Sequence, residues 1–191
     1  MQCTDLDHKG HGMAFYENEL VISSDLLPGE SAELIVLFRK GRVWFCKVLK
    51  HRTTNIQRIN PKCNIFKKCG GCTMQHTKYL YQIKIKKKHT IQVLNRIGKL
   101  DLNNIDFLIT NNSFSYRNKA IIPLKRTNKG HLQFGYYASG THNIINLTEC
   151  CVLDPYIENL IPNLKSEISN LPLEINSDSS SINTLRHLAI R

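Results

Sequence analysis

Over the first 60 residues, apolar and polar positions alternate in short runs. Met13-Ala14-Phe15-Tyr16 and Glu19-Leu20-Val21-Ile22 flank the turn-forming pair Glu17-Asn18, and Leu27-Pro28-Gly29-Glu30 is a further turn signal. Two longer β-rich runs, 32–38 and 42–49, are joined through Arg39-Lys40-Gly41 in a predicted hairpin. This density of short strands predicts a small closed barrel of the OB type. An SH3-like barrel would carry the same pattern, so the topology stays open.

The periodicity changes at residue 77. Leu80, Ile83, Ile91, Leu94 and Ile97 recur at helical spacing, Lys87 interrupts the stripe, and Gly98 is a stop signal. Strand-like runs return at 107–110, 120–125 and 132–137, with Asn128-Lys129-Gly130 as a turn. A helix is predicted over 155–169, a polar loop over 177–181, and a last strand over 184–191. The fold class is therefore α+β, mainly β with helices, and no internal repeat is evident.

Composition narrows the function classes. A hydrophobic share of 41% in 191 residues is enough to build a core and excludes wholesale disorder. No run approaches the roughly 18 apolar residues of a membrane span, and the first residues lack the basic start and apolar run of a signal peptide. Seven cysteines, an odd and unevenly spaced set, fit cytoplasmic metal or redox chemistry better than a disulfide framework. The net charge of +11 is localised: residues 1–60 carry +1, 61–130 carry +13 and 131–191 carry −3. Phe66, Tyr79, Tyr81, Phe107, Phe114 and Tyr116 interleave with the basic belt, which points to a nucleic-acid backbone as partner. A solvated Lys-rich helix face is the plainer reading of the same charge. Lys84, Lys86, Lys87 and Lys88 are candidates to meet phosphate or solvent, and Phe66 to stack on a base or pack locally. Arg117 and Lys119 are candidates for RNA contact or for structural ion pairs.

The sharpest local feature is Cys63-x5-Cys69-x2-Cys72. Three thiolates so close can converge on one metal centre, and Gly70-Gly71 lets the backbone turn between two of them. A fourth ligand must come from elsewhere, with Cys150 or Cys151 as supplier. Three close cysteines plus a remote one is an arrangement of [4Fe–4S] clusters, whereas structural zinc more often uses two separated pairs. Zinc and unliganded thiols both stay open on spacing alone. Lys67 and Lys68 would offset part of a cluster's negative charge. Cys3 and Cys46 read as buried or idle thiols. His76 and His142 read as structural hydrogen-bonding residues. No phosphate loop, dinucleotide fingerprint, hydrolase signature or general-base pair is present.

These motifs together resemble the bacterial RNA uracil-C5 methyltransferases, the S-adenosylmethionine-dependent enzymes that form 5-methyluridine in ribosomal and transfer RNA. Asp7-His8-Lys9-Gly10-His11-Gly12-Met13-Ala14 and Leu27-Pro28-Gly29-Glu30 resemble their TRAM domain. Cys63 to His76, ending Cys69-Gly70-Gly71-Cys72-Thr73-Met74-Gln75-His76, is similar to their iron–sulfur motif. Tyr116-Arg117-Asn118-Lys119-Ala120 and Gly135-Tyr136-Tyr137-Ala138-Ser139-Gly140-Thr141-His142 resemble their central domain. Glu149-Cys150-Cys151-Val152-Leu153-Asp154-Pro155 is similar to the stretch that supplies the fourth cluster cysteine, with Cys150 in the ligand slot.

The resemblance implies a TRAM OB-like RNA-binding barrel over 1–60, an iron–sulfur motif over 61–76 and a basic helical connector over 77–108. A partial central domain over 109–191 would follow. It implies a [4Fe–4S] cluster on Cys63, Cys69, Cys72 and Cys150, RNA and not DNA as partner, and a cytoplasmic location. In the family a Rossmann-like domain carries the S-adenosylmethionine site, a nucleophilic cysteine and a general base. No residue here matches those parts, so the expectation is a chain that binds RNA and a cluster but is inactive alone, with a separate catalytic chain as one possible partner. The connector's apolar stripe, which packs on that domain in the family, is expected to be left partly uncovered. The alternative is a free-standing TRAM-type RNA-binding protein with a structural metal cluster. A methylthiotransferase would place Cys-x3-Cys-x2-Cys before the barrel and is set aside.

Overall fold

Five strands and a helix build the first of two units in the computed structural model, which describes residues 1–191. This unit comprises Met1–Pro61 and Thr73–Ile109. Its strands are β1 (Asp5–Leu6), β2 (Gly12–Tyr16), β3 (Glu19–Ser23), β4 (Ser31–Lys40) and β5 (Val43–Thr53), in the spatial order β1-β2-β3-β5-β4. The β2–β3 hairpin turns on Glu17 and Asn18, both with positive φ, as a two-residue turn matched to strand twist requires. β3 and β5 run parallel, with Val21 opposite Trp44, while every other pair is antiparallel. The chain ahead of β1 returns to β4 through a Gln2–Ser31 bridge, and Cys3 N–H donates to Glu30 O at 2.8 Å, so the sheet closes on itself.

Alternation sends Ala14, Val21 and Cys46 inward from three neighbouring strands. Cys3, Leu26 and Ala32 make a second small cluster. Cys3 and Cys46 are both buried, and burial pushes the Cys3 thiol up to about 11. The helix α1 (Tyr79–Arg96) belongs to this unit: Ile85 is buried against Leu6 and Leu27, with Met74 and Tyr81 alongside. Lys88 adds an ion pair to Asp5 at 2.6 Å. The predicted stripe is thus only partly the packing face. The helix turns its Tyr81–Ile85 side to the barrel and leaves Leu80, Val93 and Ile97 in solvent.

The second unit comprises Lys62–Cys72 and Thr110–Arg191. Its sheet has the order β8-β7-β6-β9, all antiparallel, formed by β6 (Ala120–Arg126), β7 (Leu132–Tyr137), β8 (Ile144–Asn146) and β9 (His187–Ile190). The helix α2 (Pro155–Asn170) starts at Asp154, whose side chain accepts the Tyr156 N–H, with proline in the first helical position. Ile157, Ile161 and Ile168, spaced along one helical face, pack with Ile122, Leu124 and Phe134 of the sheet. Each such side chain contributes about 1.5–3 kcal/mol when fully buried. Arg126 satisfies the far end of α2, donating to the carbonyls of Ser169 and Leu171 at 3.0 Å each.

One predicted strand does not form. Residues 107–110 lie outside any strand, with Leu108 fully exposed, because no neighbouring strand offers this short apolar run a hydrogen-bonding edge. No helix is long and apolar enough to cross a membrane.

Candidate cysteine centre and basic surfaces

The cysteine loop is built by close docking of backbone on backbone. After Cys63 the chain makes a tight turn, in which Cys69 N–H donates to Ile65 O at 2.8 Å. Cys69 then bridges to Ala138 just beyond β7, and Gly70 N–H donates to Tyr137 O at 2.9 Å. A Cβ on Gly70 would sit 2.9 Å from that oxygen and 3.1 Å from the Ser139 backbone, so only glycine permits the approach. Gly71 lies under the Tyr136 ring, and its N–H points to Cys69 Sγ at 3.4 Å.

Cys150 comes from a separate segment of the same unit. Its backbone N–H donates to the Glu158 carboxylate in the first turn of α2 at 2.8 Å, and the thiol is buried in the core against which Cys72 also packs. Asn64, next to Cys63, donates to Glu149, next to Cys150, at 3.0 Å and ties the two segments together. Burial, and then the neighbouring Cys72, Cys63 and Cys150 thiols, push the Cys69 thiol up. The Cys150 thiol is raised by burial and by Cys72 and Cys63, against the opposing pull of the Val152 and Leu153 N–H groups. The four predicted cysteines are thus assembled in one unit, within electrostatic reach of one another. Cys151, the other candidate for the fourth position, is half-buried, and its carbonyl accepts from Ser115 N–H. No three histidine, cysteine, aspartate or glutamate side chains form a ready shell for a single metal ion.

Two further side chains close over this centre. The strand-like segment holding Arg117 is zipped onto the Cys150 segment: Arg117 N–H donates to Val152 O and Asp154 N–H to Arg117 O, both at 2.9 Å. The half-buried Arg117 guanidinium faces Tyr116, Cys72, Tyr136 and Cys150, whose negative forms outweigh the effect of burial and hold its charge. The Tyr136 hydroxyl is buried. Arg117 lies beside it and can only donate, so the hydroxyl's own hydrogen has no acceptor. Sequence reasoning passed over Tyr136 and Glu158; the only signal was that Tyr136 falls inside the Gly135-Tyr136-Tyr137 motif.

The other predicted contacts are spread over both units. Phe66 is half-buried in the cysteine turn, and Lys67 and Lys68 are exposed beside it. Lys119 is exposed just ahead of β6. In the first unit, Lys84, Lys86 and Lys88 are exposed on α1 while Lys87 is half-buried. The β4–β5 ribbon carries a surface the sequence did not single out. Phe38 stacks on Phe45 at 4.6 Å, and Lys40, Arg42, Lys47 and Lys50 stand in solvent around it. His76 is buried, and desolvation followed by the Arg58 charge pulls its imidazole down to about 4. His142 is exposed, stacked on Tyr137 and 3.4 Å from Asp178.

No family model matches the sequence. An uncharacterized RNA methyltransferase of Parasynechococcus marenigrum is 34% identical over 191 residues, all of this chain and 41% of that protein. Proteins of the same description from Synechocystis and Clostridium tetani are 33% and 30% identical over 98% of this chain, again 41% of their own length. Among solved structures, the Pyrococcus abyssi tRNA (uracil-54, C5)-methyltransferase in complex with S-adenosyl-L-homocysteine matches with a TM-score of 0.69 and 20% identity. That match covers 98% of this chain and 41% of the solved one, and at such identity it speaks for the fold. The chain, spanning 41% of the length of the relatives it matches, is homologous over its own length to proteins described as RNA methyltransferases.

Proposed function

We propose that this chain is the RNA-binding, [4Fe–4S]-binding portion of an RNA uracil-C5 methyltransferase. The observation that carries the reading is the assembly of Cys63, Cys69, Cys72 and Cys150 from two separate segments of one unit. The donor set fits the group. Four thiols that crowd one another electrostatically call for a cationic core to relieve their repulsion once ionised. Three close cysteines plus a remote one is the spacing that favours a cluster over one zinc. When bound to Cys63, Cys69, Cys72 and Cys150, such a group would cross-link the cysteine loop to the Cys150 segment. The chain's own residues hold that loop on β7 through Gly70 and orient Cys150 through Glu158.

RNA is the partner that the basic belt favours. Lys67, Lys68 and Lys119 in one unit and Lys84, Lys86 and Lys88 in the other meet phosphate, while Phe66 and the Phe38–Phe45 ribbon offer stacking faces. The strand order β1-β2-β3-β5-β4, closed through Gln2 and Ser31, supports an OB-type barrel of the TRAM kind. No residue of this chain is assigned to methyl transfer, and S-adenosylmethionine chemistry is left to the cofactor domain that the family resemblance describes. A cytoplasmic location goes with this reading.

The test is binding of a uridine-containing single-stranded RNA by fluorescence anisotropy across a salt series, with wild-type chain, Cys69→Ser and Cys72→Ser. Salt-sensitive binding that weakens when the cysteines are replaced supports the proposal. Binding unchanged by the replacements favours the free-standing RNA-binding alternative, and absence of binding at low salt overturns both. Incubation of the same RNA with labelled S-adenosylmethionine should give no methylation by the chain alone; methylation would refute the assignment of catalysis elsewhere.

A further inference from the structure

We infer that Tyr136 and Arg117 are positioning residues for the iron–sulfur group, the Tyr136 hydroxyl donating a hydrogen bond to its sulfur and the Arg117 guanidinium offsetting its negative charge. The inference rests on the reading of Cys63, Cys69, Cys72 and Cys150 as cluster ligands. Its independent basis is the Tyr136 side chain. The ring packs over Gly71, with its carbons 3.8–3.9 Å from where a Cβ would stand there, and so covers the turn between Cys69 and Cys72. The hydroxyl at its tip is buried; Arg117 beside it can only donate, so the hydroxyl's own hydrogen has no acceptor in the protein. A buried hydroxyl left unsatisfied costs about 1–3 kcal/mol, so a native fold retains one where something accepts from it.

What surrounds that hydroxyl is chemically specific. The ring contributes to the same packed cluster as Cys72 and Cys150. Cysteinate and inorganic sulfide are hydrogen-bond acceptors, whereas RNA has no route to a buried atom. Arg117 comes to the same place from the other direction, because its backbone is fixed by two hydrogen bonds to the Cys150 segment. Its half-buried guanidinium lies beside Tyr136, with the Cys72 and Cys150 thiols in electrostatic reach, which supports an inward role beside the RNA contact expected of it. Hydrogen bonds and positive charge at the sulfurs stabilise the more reduced cluster and restrain its loss.

The experiment uses the full chain, purified and reconstituted without oxygen, as wild type, Tyr136→Phe, Arg117→Lys and Arg117→Gln. The readouts are iron release to a ferrous chelator and the reduction potential by dye-equilibrated titration, neither of which requires catalysis. Tyr136→Phe is expected to release iron about tenfold faster and to titrate at a more negative potential. Arg117→Gln is expected to shift the potential the same way, and Arg117→Lys, which keeps the charge, to stay near wild type. A loaded wild type with Tyr136→Phe and Arg117→Gln unchanged in potential and release overturns the inference alone. A wild type that takes up no iron overturns the cluster reading, and the inference with it.

Discussion

Glu30 closes the Leu27-Pro28-Gly29-Glu30 turn and is fully buried, yet it carries a charge. Its carboxylate accepts four hydrogen bonds: from Leu27 N–H at 2.8 Å, Asn55 N–H at 2.9 Å, and Arg58 Nε and Nη2 at 2.6 Å each. Glu30→Ala strands two backbone donors and leaves Arg58, only 18% exposed, with Asp25 as its remaining counter-ion at 2.8 Å. Adding four charge-assisted bonds at face value would overstate the loss, because Asp25 and some water still reach the guanidinium. Removing one partner of a buried pair costs about 3–5 kcal/mol, and the surviving Asp25 contact places this case at about 3 kcal/mol. The only tryptophan, Trp44, lies in the same unit, so urea unfolding followed by its fluorescence isolates the relevant transition. A loss below about 1 kcal/mol would refute the view that Glu30 anchors this unit.

The same network sets an acid limit. Burial alone would raise the Glu30 carboxyl, but donation from Arg58, Asn55 and Leu27 outweighs it and holds the group below its ordinary 4.5. Its stabilisation is therefore complete above that value and is lost as pH falls through the lower folded-state value; Glu30→Gln should abolish this part of the acid transition seen by Trp44 fluorescence. Replacing Lys84 and Lys86 together by glutamine should flatten the dependence of log RNA affinity on log salt by about 1.4, and an unchanged slope would remove α1 from the interface. Gly70→Ala forces the cysteine loop off β7, weakening one backbone hydrogen bond worth about 0.5–1.5 kcal/mol. Faster iron loss at nearly unchanged urea midpoint is the expected result, and wild-type iron retention would contradict the role given to that docking.

What could be read from the sequence was local. The β2–β3 turn at Glu17-Asn18, the β4–β5 hairpin (its turn at Gly41-Arg42, with Arg39 and Lys40 still in the strand) and the two long helices follow from turn chemistry and periodicity, which act over a few residues. The strand expected at 107–110 failed because a strand needs a partner, and pairing is decided elsewhere in the chain. β8 escaped notice because its three residues, Ile144–Asn146, carry almost no pattern and owe their pairing to Tyr136 and Tyr137. The packing side of α1 was misjudged because several apolar faces compete on that helix and only the barrel selects Ile85.

The candidate site divides along the same line. Cys63, Cys69 and Cys72 announce themselves by spacing, Cys150 and Cys151 stand as equal candidates for the fourth position, and only the family resemblance prefers Cys150. Arg117 was open to RNA contact or to a structural ion pair because charge alone does not reveal surroundings. Its half-burial beside the Cys150 segment, where its backbone pairs with Val152 and Asp154, is encoded by no local pattern. Tyr136 stood among several tyrosines with nothing to mark its hydroxyl until the fold buried it.

The central claim is tested most directly by purifying the chain without oxygen and measuring iron, acid-labile sulfide and the visible spectrum together. The account expects about four iron and four sulfide per chain with a sulfur-to-iron charge-transfer band, all lost in Cys69→Ser. Stoichiometric zinc, or a colourless metal-free protein that resists reconstitution, would contradict it.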